Sequence, residues 1–144
     1  MYEEKERFYR RKGIDRRGQR EAYDAICSLY QKILLVNLSD DHFQTLHIEE
    51  TERDASHGFR EHFSEWVKAF AEMGQVDEAD KDNFLSALEK EKLISYFDAG
   101  NASFKFGYKR KVGDEFKTVV MELARAPKYS EDKRNIYLFI KVME

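Results

Sequence analysis

The chain of 144 residues has a single cysteine, Cys27, a single proline and a single tryptophan, Trp66. One thiol excludes an intramolecular disulfide and suits a reducing, cytoplasmic setting. No apolar run approaches the length needed to span a bilayer, and the opening Met-Tyr-Glu-Glu-Lys-Glu-Arg lacks the apolar core of a secretory signal. A soluble chain is expected. Positive charge is not in excess either: the net charge is -3 and the isoelectric point about 5.9, so no global basic field favours nucleic acid. There is no internal repeat and no low-complexity segment.

Hydrophobic residues make up 42%, aromatics 14% and charged residues 37%, which is enough to bury one core beneath a solvated exterior. Two full domains would not fit. Residues 1–20 read as a charged N-terminal arm or linker, and residues 21–144 as the folded domain. The arm runs from Glu3, Glu4 and Glu6 into Arg7, Arg10, Arg11, Lys12, Arg16, Arg17 and Arg20. Its acidic and basic residues fit a solvated helix better than a nucleic-acid or membrane surface, because few aromatics are interleaved to stack on bases. A short amphipathic helix over about Gln19 to Gln31 follows, with Tyr23, Ile26, Cys27 and Tyr30 on one stripe. That stripe must cover the domain's own sheet or a second copy of the helix.

Lys32 to Leu38 and Phe43 to Ile48, separated by Ser39-Asp40-Asp41, read as a first hairpin. Glu49 to His57 reads as a loop. Phe59, Phe63, Trp66, Val67 and Phe70 then recur with helical spacing. Asp77 is placed to cap a second helix, with Asp80 three residues on, and Phe84, Leu85 and Leu88 supply its apolar face. Leu93 to Ala99 forms a third short helix ended by Gly100-Asn101. Three alternating runs close the chain: Ser103 to Lys111, Phe116 to Ala126 and Asn135 to Val142. They predict a three-strand antiparallel meander.

No catalytic constellation accompanies these elements. Gly113-Asp114-Glu115-Phe116 matches four of the five residues of the Gly-Gly-Asp-Glu-Phe signature of diguanylate cyclases, but Val112 replaces the first glycine and only 28 residues follow Phe116. A Gly-Asp turn between two strands accounts for all four. His42, His47, His57 and His62 lack ligand spacing, so no metal site is expected. Cys27 lies on an apolar stripe, as a packed thiol does. Asp77, Glu78, Asp80 and Asp82 crowd a helix start, where they favour the dipole. No catalytic residue and no cofactor is assigned. The set Trp66, Phe70, Phe84, Phe97, Phe104, Phe106, Tyr108 and Met121 has two readings, the lining of a ligand pocket between helices and sheet or a filled core.

From about Ala25 to Glu144 the order of elements resembles the PAS family of small sensor domains in bacterial signalling proteins. Val76-Asp77-Glu78-Ala79-Asp80-Lys81-Asp82-Asn83-Phe84 is similar to the Val-His-Pro-Glu-Asp-Arg-x-x-Phe string of that family, fitting at Val76, Asp80 and Phe84, with Lys81 for arginine. It departs at Asp77, Glu78 and Ala79. Phe63, Trp66, Val67 and Phe70 ahead of it look like the divergent PAS-like domains upstream of diguanylate cyclase or histidine kinase modules.

The resemblance implies an α+β fold with a five-stranded antiparallel sheet, helices on one face and an extra N-terminal helix that pairs two copies. It further implies a non-catalytic domain that senses a small ligand or partner and passes the signal to an attached output module. The haem-ligating histidine and the photosensor cysteine string of some members are not recognisable here. A rival architecture is the cone-shaped α+β fold of the nuclear-transport-factor type, an enzyme or binding fold that opens with helices and carries most of its sheet afterwards. A third reading is a purely structural dimerisation module with a filled core.

Overall fold

The computed structural model describes residues 16–49 and 62–143. Helix α1 spans Arg16–Cys27, strand β1 Lys32–Asn37 and strand β2 His42–Ile48. Helix α2 spans Phe63–Glu72, a 3-10 turn Glu78–Asp80, helix α3 Lys81–Ala87 and helix α4 Lys90–Asp98. Strands β3 (Ser103–Val112), β4 (Glu115–Arg125) and β5 (Asn135–Val142) complete the chain. The five strands form one antiparallel sheet in the order β2-β1-β5-β4-β3. The fold is α+β with the PAS-like arrangement that the resemblance implies, and its first two strands precede the middle helices.

The closing meander is present, and its last strand also pairs with β1, which makes β5 the central strand between β1 and β4. Strand parity then divides the side chains between two faces. Leu34, Val36, Tyr108, Val119, Met121, Leu123, Ile136, Leu138 and Ile140 lie on the inner face. There they form one buried cluster with Phe63, Trp66, Val67 and Phe70 of α2, Phe84 of α3, and Leu93 and Phe97 of α4. In β2 the register slips between Ile33 and Leu34, where partner positions jump from His47 to Thr45. Leu46 is the extra residue of this bulge, which lets Phe43 and Ile48 both face inward although their spacing is odd.

The α1 helix starts at Arg16, inside the segment read as an arm, and ends at Cys27, earlier than expected. Arg17 and Glu21, four residues apart, form an exposed ion pair on it, as the reading of a solvated helix requires. Its C-terminal end meets the outer face of the sheet: Cys27 and Ile33 are buried, and the Tyr30 and Phe139 rings lie 5.4 Å apart. Among the described residues no helix is long and apolar enough to cross a membrane.

Two connections tie the helical layer to the strands. Asp41, in the β1–β2 turn at φ 56°, accepts the Phe63 N–H through its backbone oxygen, while its carboxylate accepts from the Ser64 N–H at 2.9 Å and from the Ser64 hydroxyl. A residue 22 or more positions upstream thus caps α2, where His62 offers no side-chain cap. Asp77 does not cap a helix through its side chain as expected from the sequence; its backbone N–H instead donates to the Lys109 carbonyl at 2.9 Å. The predicted capping partner, Asp80, directs its carboxylate to the Lys109 N–H at 2.8 Å.

Candidate functional site

The interface between α2, α3 and the inner face of β3 is a chain of rings. Trp66 and Phe70 lie 5.3 Å apart because they stand one helical turn from each other on α2. Phe70 meets Phe84 at 6.0 Å, and Phe84 meets Tyr108 at 4.9 Å and Phe106 at 6.4 Å. Along β3, Phe104, Phe106 and Tyr108 stack at 6.0 and 5.5 Å, as alternate residues of one strand do. Met121 stands opposite Phe106 on β4. Phe97 joins the same core from α4, in contact with Tyr96 and Tyr129.

Trp66, Phe70, Phe84, Phe97, Tyr108 and Met121 of the predicted set are buried in one cluster, with Phe104 and Phe106 partly buried against it. The aromatic rings among them largely fill each other's faces, so they act as core.

Strand parity also carries two cations into the interface. Lys32 leads the inward series Lys32, Leu34, Val36; Arg110 ends the series Phe104, Phe106, Tyr108, Arg110. Both are buried, each with 1% of its surface exposed. The Lys32 ammonium lies 5.4 Å from the Trp66 ring centre and 5.2 Å from that of Phe70. The Arg110 guanidinium lies 5.0 Å from the same Phe70 ring. These are cation–π distances, and each contact is worth about 2 kcal/mol when desolvated. Both side chains also make interactions beyond these rings.

Neither cation was singled out from the sequence, where lysine and arginine read as solvated. The signal was the two-residue period itself, which assigns both to the apolar face.

The edge of β3 beside Arg110 is closed by the segment that precedes α3. Val76 pairs with Arg110, and the Lys111 N–H donates to the Gln75 carbonyl at 2.7 Å. With Asp77 and Asp80 on Lys109, this segment runs along β3 as a short extra pairing partner. The string Val76 to Phe84 that carries the family resemblance thus has a physical task, to seat α3 and Phe84 on β3.

The remaining candidates have structural placements. Gly113 and Asp114 form the two-residue turn between paired Val112 and Glu115, with Gly113 at φ 65°, and the Phe116 ring is half exposed. This is the hairpin reading of the Gly-Asp-Glu-Phe string. The His42 and His62 rings pack together at 5.3 Å on the surface, and His47 Nε2 lies 3.0 Å from the Tyr30 carbonyl. His57 and Phe59 lie outside the described residues, as do residues 50–57 of the predicted loop and the arm before Arg16.

Of the predicted pairing stripe, Cys27 is buried and Tyr30 half-buried against the chain's own sheet, whereas Tyr23 and Ile26 are exposed together with Leu29. A side-chain hydrogen bond with Cys27 raises the Tyr23 hydroxyl pKa above its ordinary value. The stripe therefore serves two directions, inward at Cys27 and Tyr30, outward at Tyr23 and Ile26.

Neither the known family models nor the curated proteins contain a match to the chain.

Proposed function

We propose that this chain is a non-catalytic PAS-like sensory domain of a bacterial signalling protein, one that takes a small ligand or partner at the interface of α2, α3 and β3 and relays its presence to an attached output module. The observation that carries this reading is the five-stranded antiparallel sheet in the order β2-β1-β5-β4-β3 with α2, α3 and α4 between β2 and β3, the arrangement that the family resemblance implies. Binding would bias the packing of the three short helices on the sheet, and α1 and β5, adjoining through Tyr30 and Phe139, would carry that bias outward. The exposed Tyr23 and Ile26 of α1, with Leu29 just beyond its end, support a homodimer through that helix.

Trp66 is the single tryptophan of the chain and stands at the interface, so its fluorescence reports on the site directly. A screen of metabolites, nucleotides and haem is expected to yield at least one compound that raises the melting temperature by mass action and changes Trp66 emission with the same saturation curve. A broad screen in which no compound moves either signal would overturn ligand sensing.

A further inference from the structure

The His42 and His62 rings, 5.3 Å apart and both exposed, come from segments that the sequence keeps well separated, the first residue of β2 and the residue before α2. The two residues pair directly across an antiparallel bridge. Beside that bridge the Phe63 N–H, from the residue after His62, donates at 3.0 Å to the carbonyl of Asp41, the residue before His42. His42 and His62 are therefore a non-hydrogen-bonded pair, the kind whose opposed side chains leave one face at closest approach. The Asp41 carboxylate on Ser64 holds the start of α2 in that register. Two imidazoles side by side on one exposed face are a chelate. With metal–nitrogen bonds of about 2 Å, two rings on one tetrahedral or tetragonal ion have their centres roughly 4.5–5 Å apart, so small rotations about the side-chain bonds bring both onto one ion.

Among the described residues no group of three or more histidines, cysteines or carboxylates comes together to hold a metal. Water would therefore complete the coordination, and that sets the class of ion. A pair of imidazoles with no cage of oxygens favours the late first-row ions, copper(II) above zinc(II) and nickel(II), over magnesium and calcium.

We infer that His42 and His62 form a chelating site for a late first-row divalent metal ion, with copper(II) bound most tightly. A bound ion joins the start of β2 to the start of α2, beside the Asp41 cap, and its binding free energy adds to the stability of that junction. The site is independent of the sensory reading above. Neither histidine has ligand spacing in the sequence, because the bridge that pairs them is tertiary.

The test is a titration of the untagged, intact chain with copper(II), zinc(II), nickel(II) and magnesium, read by Trp66 emission and by melting temperature. Trp66 stands one helical turn after His62, within reach of quenching by a copper ion that His62 holds. The expected result is saturable quenching at one copper per chain, reversed by a chelator, and a rise in melting temperature with zinc but not with magnesium. The paramagnetic resonance spectrum of the copper-loaded parent should show two nitrogen ligands, a readout that needs no variant. His42→Gln and His62→Gln should each weaken copper binding by about tenfold or more, because a single imidazole replaces the chelate. Both side chains are exposed, so each variant should melt as the parent does in the absence of metal.

Unchanged copper affinity in both variants would overturn the inference, as would a spectrum with one nitrogen ligand. Loss of binding in His47→Gln or His57→Gln, with His42→Gln and His62→Gln unaffected, would place the metal elsewhere and overturn it too. A response to magnesium equal to that of copper would assign the effect to surface carboxylates and overturn it as well.

Discussion

The carboxylate of Asp80 accepts a hydrogen bond from the backbone N–H of Lys109 at 2.8 Å, across 29 residues of sequence. With the Asp77 N–H on the Lys109 carbonyl and the Lys111 N–H on the Gln75 carbonyl, it anchors the start of α3 to the edge of β3. Phe84 follows one turn later and is fully buried against Tyr108. Asp80→Ala should therefore cost about 1.5–3 kcal/mol, the range for a hydrogen bond to a charged group. Urea denaturation measures it. Asp80→Asn keeps an acceptor oxygen and should recover part of the loss, and an Asp80→Ala chain as stable as the parent would show that the anchor is redundant.

The pH dependence of stability should carry the mark of the cluster that joins α4 to the β4–β5 connection. Arg134 donates to both oxygens of Asp98, at 2.7 Å from Nη2 to Oδ2 and 3.1 Å from Nε to Oδ1, and the Tyr129 hydroxyl donates at 2.7 Å. These donors, Arg134 foremost, hold the Asp98 carboxyl below its usual range. Its stabilising contribution is complete above the unfolded value of about 4 and is lost as the pH falls through the lower folded value. Asp98→Asn should flatten that acid limb in melting temperatures recorded from pH 6 to pH 2.

Tyr129 acts at the other end of the scale. Burial first, and then the hydrogen bond to Asp98, push its hydroxyl up to about 12. Its contribution is complete below the unfolded value of about 10 and is lost as the pH rises towards the folded value. Tyr129→Phe should remove the alkaline decline of that window. An identical decline in the variant would assign it to other groups.

The Gly-Asp-Glu-Phe hairpin should respond as a turn. Gly113 at φ 65° occupies the left-handed region, with nothing within 4 Å of where a Cβ would stand. Gly113→Ala should cost about 1 kcal/mol from backbone strain alone. Gly113→Asn should cost less, because asparagine tolerates that region. A cost for alanine well above this would mean that the turn touches something more than solvent.

The outward stripe of α1 separates pairing from folding. Ile26 and Leu29 are 58% and 60% exposed, so Ile26→Glu with Leu29→Glu should leave monomer stability within about 0.5 kcal/mol per site. The same double variant should convert the sedimenting species from dimer to monomer. A parent chain that sediments as a monomer at every concentration would remove the proposed homodimer. Cys27→Ser is the contrast, since that thiol is buried against the sheet and its loss should lower stability without changing the oligomeric state.

Much of this architecture is legible from residue periodicity. The alternation in Asn135 to Val142 returns β5 with its predicted bounds, and the closing meander and middle helices follow within a few residues. These elements are long in their period, and each buries one face, so local pattern and tertiary demand agree. The aromatic set was also legible, because Trp66, Phe70 and Phe84 recur at helical spacing and Phe106 and Tyr108 at strand spacing. The capping of α3 was misread. Asp77 and Asp80 look like a local capping box, yet neither side chain caps the helix and the Asp80 carboxylate serves β3. A carboxylate near a helix start has several donors within reach, and which one it meets depends on chain brought in from far away.

The sequence by itself determined which residues pair off as inner and outer along each strand, since a two-residue period is a property of the extended chain. That period placed Lys32 and Arg110 on the apolar side. Tertiary structure alone decided that β5 returns to β1, that the bulge at Leu46 restores the inward face of β2, and that the two cations meet at one phenylalanine. Those outcomes depend on contacts between segments tens of residues apart. Their geometry is fixed by which apolar faces can be buried together, and no window of local sequence contains that information.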